Sequence, residues 1–310
     1  LAISQSKEIG MTSNVTPVMV VGCGYVGERL AREEIRLGSA VRAIVRRQER
    51  ATSLSQQGFD ARSLDFDQAS QNTSELLAGA TVYYLVPPPR HGQRDPRLRA
   101  WLDQIQANRL PRRVILISTT GVYGDCSGEW VSELRPVNPQ AARAQRRVDA
   151  ESTLATWQQR SGVRCVVLRV PGIYGPDRLP LTRLRSGQPV LAIGEAPWSN
   201  RIHVDDLVHA CIAAARRTDP HGIYNVSDGN PSTMTEFFFQ AADALAMPRP
   251  PTISASKAST VMGESMLSYL AESKRIDNSL MRSHLSVEPG FPDLAIGLAD
   301  AVRRSTDTKP

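Results

Sequence analysis

The 310-residue sequence predicts an α/β protein: a doubly wound parallel sheet, followed by a smaller, discontinuous C-terminal portion. Three observations predict it. Short apolar runs bounded by turn residues alternate with stretches of helical periodicity from residue 17 to about residue 170. Such alternation needs crossover helices, which make neighbouring strands parallel. After Pro171 the texture changes, with Gly172, Gly175, Pro176, Pro180, Gly187, Pro189, Gly194 and Pro197 crowded into a short span. Apolar residues make up 41% of the chain, enough for a core, yet no run approaches the roughly 18 apolar residues of a membrane span.

The first element is an apolar run, Val18 to Val21, followed by Gly22, Gly24 and Gly27 as G-x-G-x-x-G. Val26, Leu30 and Ile35 then recur at helical spacing until Gly38, a C-cap signal. Strand, glycine turn and helix in that order is the setting of a dinucleotide fingerprint, with the helix N-terminus facing the diphosphate. Gly22, Gly24, Tyr25, Val26 and Gly27 are therefore candidate cofactor residues. The second strand, Ala40–Val45, runs into Arg46 and Arg47. An NAD site carries an acid near there, about 20 residues past the glycines, to bind the ribose. No acid lies between Ser39 and Gln48, and the two arginines offer charge to a 2′-phosphate, so NADP is favoured over NAD.

A helix over 47–57 leads to a third strand over 59–64, and Asp65 either meets an adenine edge or caps a turn. The fourth strand, 81–86, ends in Pro87-Pro88-Pro89, which stops it. Val86 and Pro87 thus reach the cofactor end of the sheet. Residues 90–99 are polar and basic, either a loop over the cofactor or a solvated connection. A helix over 101–108 precedes the fifth strand, 113–118, which runs into Ser118-Thr119-Thr120-Gly121-Val122-Tyr123-Gly124. A long helix is predicted over 140–159 and the sixth strand over 163–170. Past the irregular span, Arg201-Ile-His-Val-Asp-Asp-Leu207 opens a helix with Asp205 as N-cap. A strand over 222–226 returns to the sheet, and a helix covers 235–246. Residues 248–251 form a linker and the last 60 residues read as small helices and loops. The expected organisation is a tail over 1–16, a nucleotide-binding domain over 17–170 rejoined by 201–227, and a second portion over 171–200 and 228–310.

The totals narrow the function. Net charge is +6 and the isoelectric point about 9.4, but arginine is spread along the chain without a dense basic block. An anionic small molecule fits that balance, and no nucleic-acid or membrane partner is expected. Cys23, Cys126, Cys165 and Cys211 show no metal-ligand spacing, so no metal is expected and a reduced, cytoplasmic protein is. Cys23 reads as a small residue in a tight loop. The first sixteen residues lack the apolar segment of a signal peptide, and Met11 is a candidate start.

Five segments, in one order, resemble the extended short-chain dehydrogenase/reductase family, the NAD(P)-dependent epimerases and dehydratases of sugar nucleotides. They are Gly22-x-Gly-x-x-Gly27, Ser118-Thr-Thr-Gly-Val-Tyr-Gly124, Leu168-Arg-Val-Pro-Gly-Ile-Tyr-Gly-Pro176, Arg201-Ile-His-Val-Asp-Asp-Leu207 and Tyr224-Asn-Val-Ser-Asp-Gly229. The resemblance implies a Rossmann domain with Ser118 and Pro171 near the cofactor and a substrate cleft against the smaller portion. It also implies a Ser/Thr, Tyr and Lys chemistry, with the Ser/Thr position on Thr119 and Thr120 beside it. The Tyr-x-x-x-Lys element is expected at the start of the long helix. The best match there places Ala141 for Tyr and Gln145 for Lys, and no Tyr or Lys occurs between Asp125 and Gln159. Alanine carries no proton, and glutamine lowers no neighbour's pKa by charge.

Tyr123, Tyr174, Asp125 and His203 lie in motif loops and are candidate replacements. Each also has a plainer reading, as junction packing for the tyrosines, a turn for Asp125 and a structural hydrogen bond for His203. Arg178, Arg183 or Arg201 would grip an anionic substrate group. The expected function is an NAD(P)-dependent epimerase/dehydratase-like oxidoreductase with a non-standard acid/base; the alternative is a catalytically degenerate NADP(H)-binding regulator or partner-binding protein. The chain is expected to be a monomer or a homodimer. In the family the dimer uses two long helices, here about 93–108 and 139–160, and the second is rich in Arg and Gln.

Overall fold

The computed structural model describes residues 16–68 and 77–306; the expected tail lies, but for its last residue, outside them. Seven parallel strands form one sheet: β1 (Pro17–Val21), β2 (Ala40–Val45), β3 (Asp60–Ser63), β4 (Thr81–Tyr84), β5 (Arg113–Thr119), β7 (Arg164–Val170) and β12 (Ile223–Asn225). Their order across the sheet is β12-β7-β5-β4-β1-β2-β3. The fold is the doubly wound parallel α/β type.

Both faces of the sheet are covered, which is why the inner strands β1, β4, β5 and β7 are buried almost throughout rather than on alternate residues. Along β1, Val18 and Val20 join one buried cluster, while Met19 and Val21 join the other. The first cluster takes Leu30 and Ala31 from α1 (Tyr25–Arg36), Leu54 from α2 (Gln48–Gln56) and Leu207 from α6 (Val204–Arg216). The second takes Leu98 and Trp101 from α3 (Pro96–Asp103), and Ala150, Leu154 and Trp157 from α4 (Ala142–Ser161).

Helix boundaries correct two expectations. Helix α3 begins five residues earlier than the 101–108 pattern suggests, because Asp95 caps it and Pro96 occupies its first turn. The Asp95 carboxylate accepts from the backbone N–H groups of Arg97 and Leu98, as an N-cap acid does. Helix α6 is capped by the His203 imidazole, not by Asp205, which lies in the first turn where an acid suits the helix dipole. Helix α7 (Met234–Ala244) starts from a capping box between Thr233 and Glu236.

The irregular segments are tied down by two-stranded pairings. β8 (Gly172–Tyr174) pairs with β11 (Arg201–His203), and β9 (Val190–Leu191) with β14 (Thr252–Ile253). β10 (Trp198–Ser199) pairs with β13 (Ser232–Thr233), and β15 (Arg275–Ile276) with β6 (Trp130–Val131). Between them lie α5 (Leu181–Arg185), α8 (Ala255–Val261), α9 (Glu264–Leu270), α10 (Ser279–Leu285) and α11 (Leu294–Arg304). Among the described residues no helix is long and apolar enough to cross a membrane.

Candidate functional site

The strand order reverses at β1, which is flanked by β2 and β4 with Val21 opposite Ile44 and Tyr84. A crevice opens beyond the carboxyl ends of strands at such a switch point. Here it holds a cavity of about 670 Å³ lined by the glycine loop, the end of β2, Asp65, and Val86 and Pro87 after β4. Gly22 has φ +93°, and a Cβ there would stand 2.9 Å from the Val86 nitrogen. A Cβ on Gly27 would meet the Gly22 carbonyl oxygen at 2.8 Å, so α1 approaches the strand only because that side chain is missing. Space beside Gly24 is open to 4 Å. Helix α1 has no side-chain N-cap, leaving its first-turn N–H groups turned toward this cavity.

Tyr25, Val26, Arg46, Arg47 and Arg50 also line the cavity. Arg46 is held by Asp65 at 3.2 Å and Asp67 at 3.1 Å, and Arg50 pairs with Glu28. Arg47 is exposed at the rim and makes none of these ion pairs. Burial pushes the Cys23 thiol up to about 12, with Glu28 adding to the effect, so it stays protonated and unreactive.

A second cavity, of about 760 Å³, adjoins the first and is walled by β5, α4, the 171–180 segment, β10, β11, and the 266–274 segment. Thr119, Thr120 and Pro171 line it; Pro171 thus faces this cavity rather than the glycine loop. Ser118 lines neither cavity, and its hydroxyl donates to Glu151 inside the fold.

Helix α4 corrects the expected register. Ala141 is its N-cap and Gln145 donates to the Pro139 carbonyl; neither lines a cavity. The residues turned to the cleft at that spacing are Arg143 and Arg147, one turn apart. Arg143 donates to Ser268 Oγ at 2.5 Å and lies 3.4 Å from Glu272. Arg147 lines both cavities, and its hydrogen bond to the Val86 carbonyl is a long one, 3.4 Å. Burial holds its pKa below the usual guanidinium value.

The other candidates divide. Tyr123 is buried, donates to Asn225 Oδ1 at 2.7 Å and lines neither cavity. Asp125 accepts from the backbone of Ser127 and Ser273. His203 is buried, and its Nδ1 accepts from the Asp205 N–H at 3.3 Å, which puts the ring proton on Nε2, 3.6 Å from Asp300. Arg304 bonds both Asp205, at 2.6 Å, and Asp300, at 3.0 Å, so the acids beside this histidine are already matched by a cation. Tyr174 does line the second cavity, with burial raising its phenol well above the ordinary value.

Of the three arginines, Arg183 turns aside to Gln188 and the Pro189 carbonyl. Arg201 lines the second cavity, buried, 4.5 Å over the Phe237 ring, and burial lowers its pKa to about 10. Arg178 lines both cavities and sits 5.0 Å over the Tyr25 ring. Sequence reasoning missed Arg143, Arg147, Tyr269 and the Glu272–Lys274 ion pair in the cavity wall.

A glycine-fingerprint crevice joined to a second cavity, at the switch point of this sheet, defines a Rossmann-like α/β protein. Residues 97–227 match the NAD dependent epimerase/dehydratase family model. It is 26% identical over 284 residues to Protein YeeZ of Escherichia coli (strain K12), covering 89% of this chain and 96% of that protein. A solved structure of a functionally unknown conserved protein from Silicibacter pomeroyi DSS is similar with TM-score 0.78 and 28% identity, over 93% of this chain and 98% of that one. UDP-Glucuronic acid 4-epimerase from Bacillus cereus in complex with NAD is similar with TM-score 0.73 and 17% identity, over 92% and 97%. At that identity the likeness is one of fold.

Proposed function

We propose that the protein is an NAD(P)-binding oxidoreductase of the epimerase/dehydratase type, acting on an anionic small molecule such as a sugar nucleotide, in the cytoplasm. The observation that carries this reading is the junction of the two cavities. Pro87, Arg147, Ile173 and Arg178 line both, so a dinucleotide in the first would present its far end to a ligand in the second. The glycine cradle and the open helix N-terminus fit a dinucleotide diphosphate. Residues 171–200 and 228–310 serve as the substrate-binding portion. NADP is the favoured cofactor because Arg47 stands at the end of β2 with no acid in its place.

When bound, the nicotinamide ring supplies or accepts a hydride. The chain's own part is to place, orient and exclude water. Thr119 and Thr120 offer hydroxyls to a substrate oxygen at the end of β5. Arg201, desolvated and stacked on Phe237, holds an anionic group deeper in the cavity. Helix α4 brings no phenol and no ammonium to the cleft, and a guanidinium neither gives nor takes a proton near neutral pH. That same observation favours a second reading, an NADP(H)-binding regulator that does not turn over.

Titration of the purified chain with NADPH and NADH, followed by calorimetry, tests the shared premise. Micromolar NADPH binding with weaker NADH binding is expected; binding of neither removes both readings. A sugar-nucleotide screen for change in the redox state of the bound dinucleotide then separates enzyme from regulator.

A further inference from the structure

The junction of the cavities has an unusual electrostatic make-up. Two of its four residues are arginines, Arg147 and Arg178. Among the described residues neither stands within ion-pair distance of a carboxylate, although most arginines near the cleft do or are otherwise tied. Arg146 donates to the Gly92 carbonyl, Arg143 to Ser268, Arg97 to Asp67 and Arg169 to Glu151. Arg147 comes off α4 on one side, and Arg178 comes from the 175–180 loop on the other. Arg147 is partly buried, so much of the hydration it would keep at the surface is lost. A guanidinium in that state keeps unused donors in a fork suited to an oxyanion.

We infer that Arg147 and Arg178 form a two-sided grip for an oxyanionic group, a carboxylate or a phosphate, carried by the substrate next to its reacting centre. This rests on the proposed function and deepens it. A remote diphosphate would be met by Arg201, deeper in the second cavity; the junction arginines meet an anion where the two cavities touch. The grip also gives α4 a role that the missing phenol and ammonium do not. It fixes a charged end of the ligand and balances negative charge there, without supplying a proton. The favoured ligands are small acids or phosphorylated compounds whose charged group lies within a few bonds of the carbon or nitrogen that changes.

The test is a calorimetric titration of the NADP⁺-loaded protein with sodium oxalate and, separately, with inorganic phosphate. At least one is expected to bind the wild-type protein, and which one does identifies the oxyanion. Arg147→Gln is expected to weaken that binding about tenfold, the worth of one charge-assisted contact, while NADP⁺ affinity stays within about threefold. Arg178→Gln, at an exposed position where folding is not at stake, is expected to weaken it similarly, and Arg147→Lys to recover part of the loss. The inference is overturned if neither anion binds the loaded protein, or if both Gln variants leave anion affinity within about twofold. It is equally overturned if Arg147→Gln removes dinucleotide binding and Arg178→Gln leaves anion binding unchanged, since Arg147 is then a ribose holder. Failure to bind any dinucleotide would sink the proposed function instead, and the same anion titration of the unloaded protein still reads the grip.

Discussion

The Arg143 guanidinium lies 3.9 Å from the centroid of the Tyr269 ring. With its bonds to Ser268 and Glu272, it joins the start of α4 to α9 and closes one side of the second cavity. One turn along, Arg147 makes no such tie. The two arginines therefore do different things from one helix face, one holding a wall and one facing the junction.

Replacing both tests what the scaffold can still do. The double change Arg143→Tyr with Arg147→Lys puts a phenol and an ammonium on the cleft-facing turn. A gain in hydroxyl-dependent reduction of NADP⁺ over wild type is expected, read by dinucleotide fluorescence with a panel of sugar nucleotides. A positioned acid/base contributes about 10²–10⁴-fold in rate. The change Ala141→Tyr with Gln145→Lys should give no gain, because those positions line neither cavity.

Cofactor choice should follow Arg47 more than Arg46. Arg46 already spends its charge on Asp65 and Asp67. Arg47→Ala is expected to weaken NADPH about tenfold, a single charge-assisted contact, and to leave NADH unchanged. Arg46→Ala should cost less. Equal losses for both dinucleotides in Arg47→Ala would end the 2′-phosphate reading.

Gly22→Ala should abolish dinucleotide binding and lower stability. Its φ of +93° strains any side chain, and the new Cβ would meet Val86 backbone at 2.9 Å. A cost of about 1–3 kcal/mol is expected. Gly24→Ala, into open space, should keep the fold and affect only the bound diphosphate, a split that thermal melts and NADPH titration resolve together.

Tyr123→Phe separates packing from catalysis. Losing the phenol leaves the buried Asn225 carbonyl oxygen without its donor, at about 1–3 kcal/mol. Melting temperature should fall while dinucleotide affinity holds. Unchanged stability with turnover lost by orders of magnitude would make Tyr123 the acid after all.

Asp228 sets a pH dependence of stability. Burial raises its carboxyl from 3.8 to about 7, against smaller opposing pulls from the Asn230 N–H and Arg201. A folded-state value above the unfolded one means the group stabilises below about pH 4, and loses that contribution as pH rises to about 7. Asp228→Asn should therefore melt higher than wild type at pH 8, by about 3 °C, and the gain should vanish at pH 4.

The strands and the glycine turn were legible because their signals are local: apolar runs, turn residues and a fixed glycine spacing. The cleft face of α4 was not, because its start carries no capping side chain. Ala141 is a poor N-cap, and counting forward from Pro139 places the face two residues early. Counting back from the apolar face, Trp157, Leu154 and Ala150, reaches Arg147 and then Arg143. The same holds for His203, since imidazole is not a common cap, and for Asp95-Pro96, whose polar neighbours hide a helix start. Glu272 and Lys274 come to the cavity through the pairing of β15 with β6, a contact across 145 positions that no local pattern announces.

The early place of the switch-point strand β1 in the chain bears on how the molecule comes into being. Synthesis runs from the N-terminus, and domains fold as units once their residues have emerged. Among the described residues, six of the seven sheet strands lie before residue 171, and the lining of the glycine-loop cavity runs from Gly22 to Arg178. The second cavity takes its last wall from Met266, Tyr269, Glu272 and Lys274. The nascent chain thus holds all the parts of its nucleotide crevice about a hundred residues before its other cavity is complete, and a dinucleotide captured then would act as a template on which the remaining wall is laid.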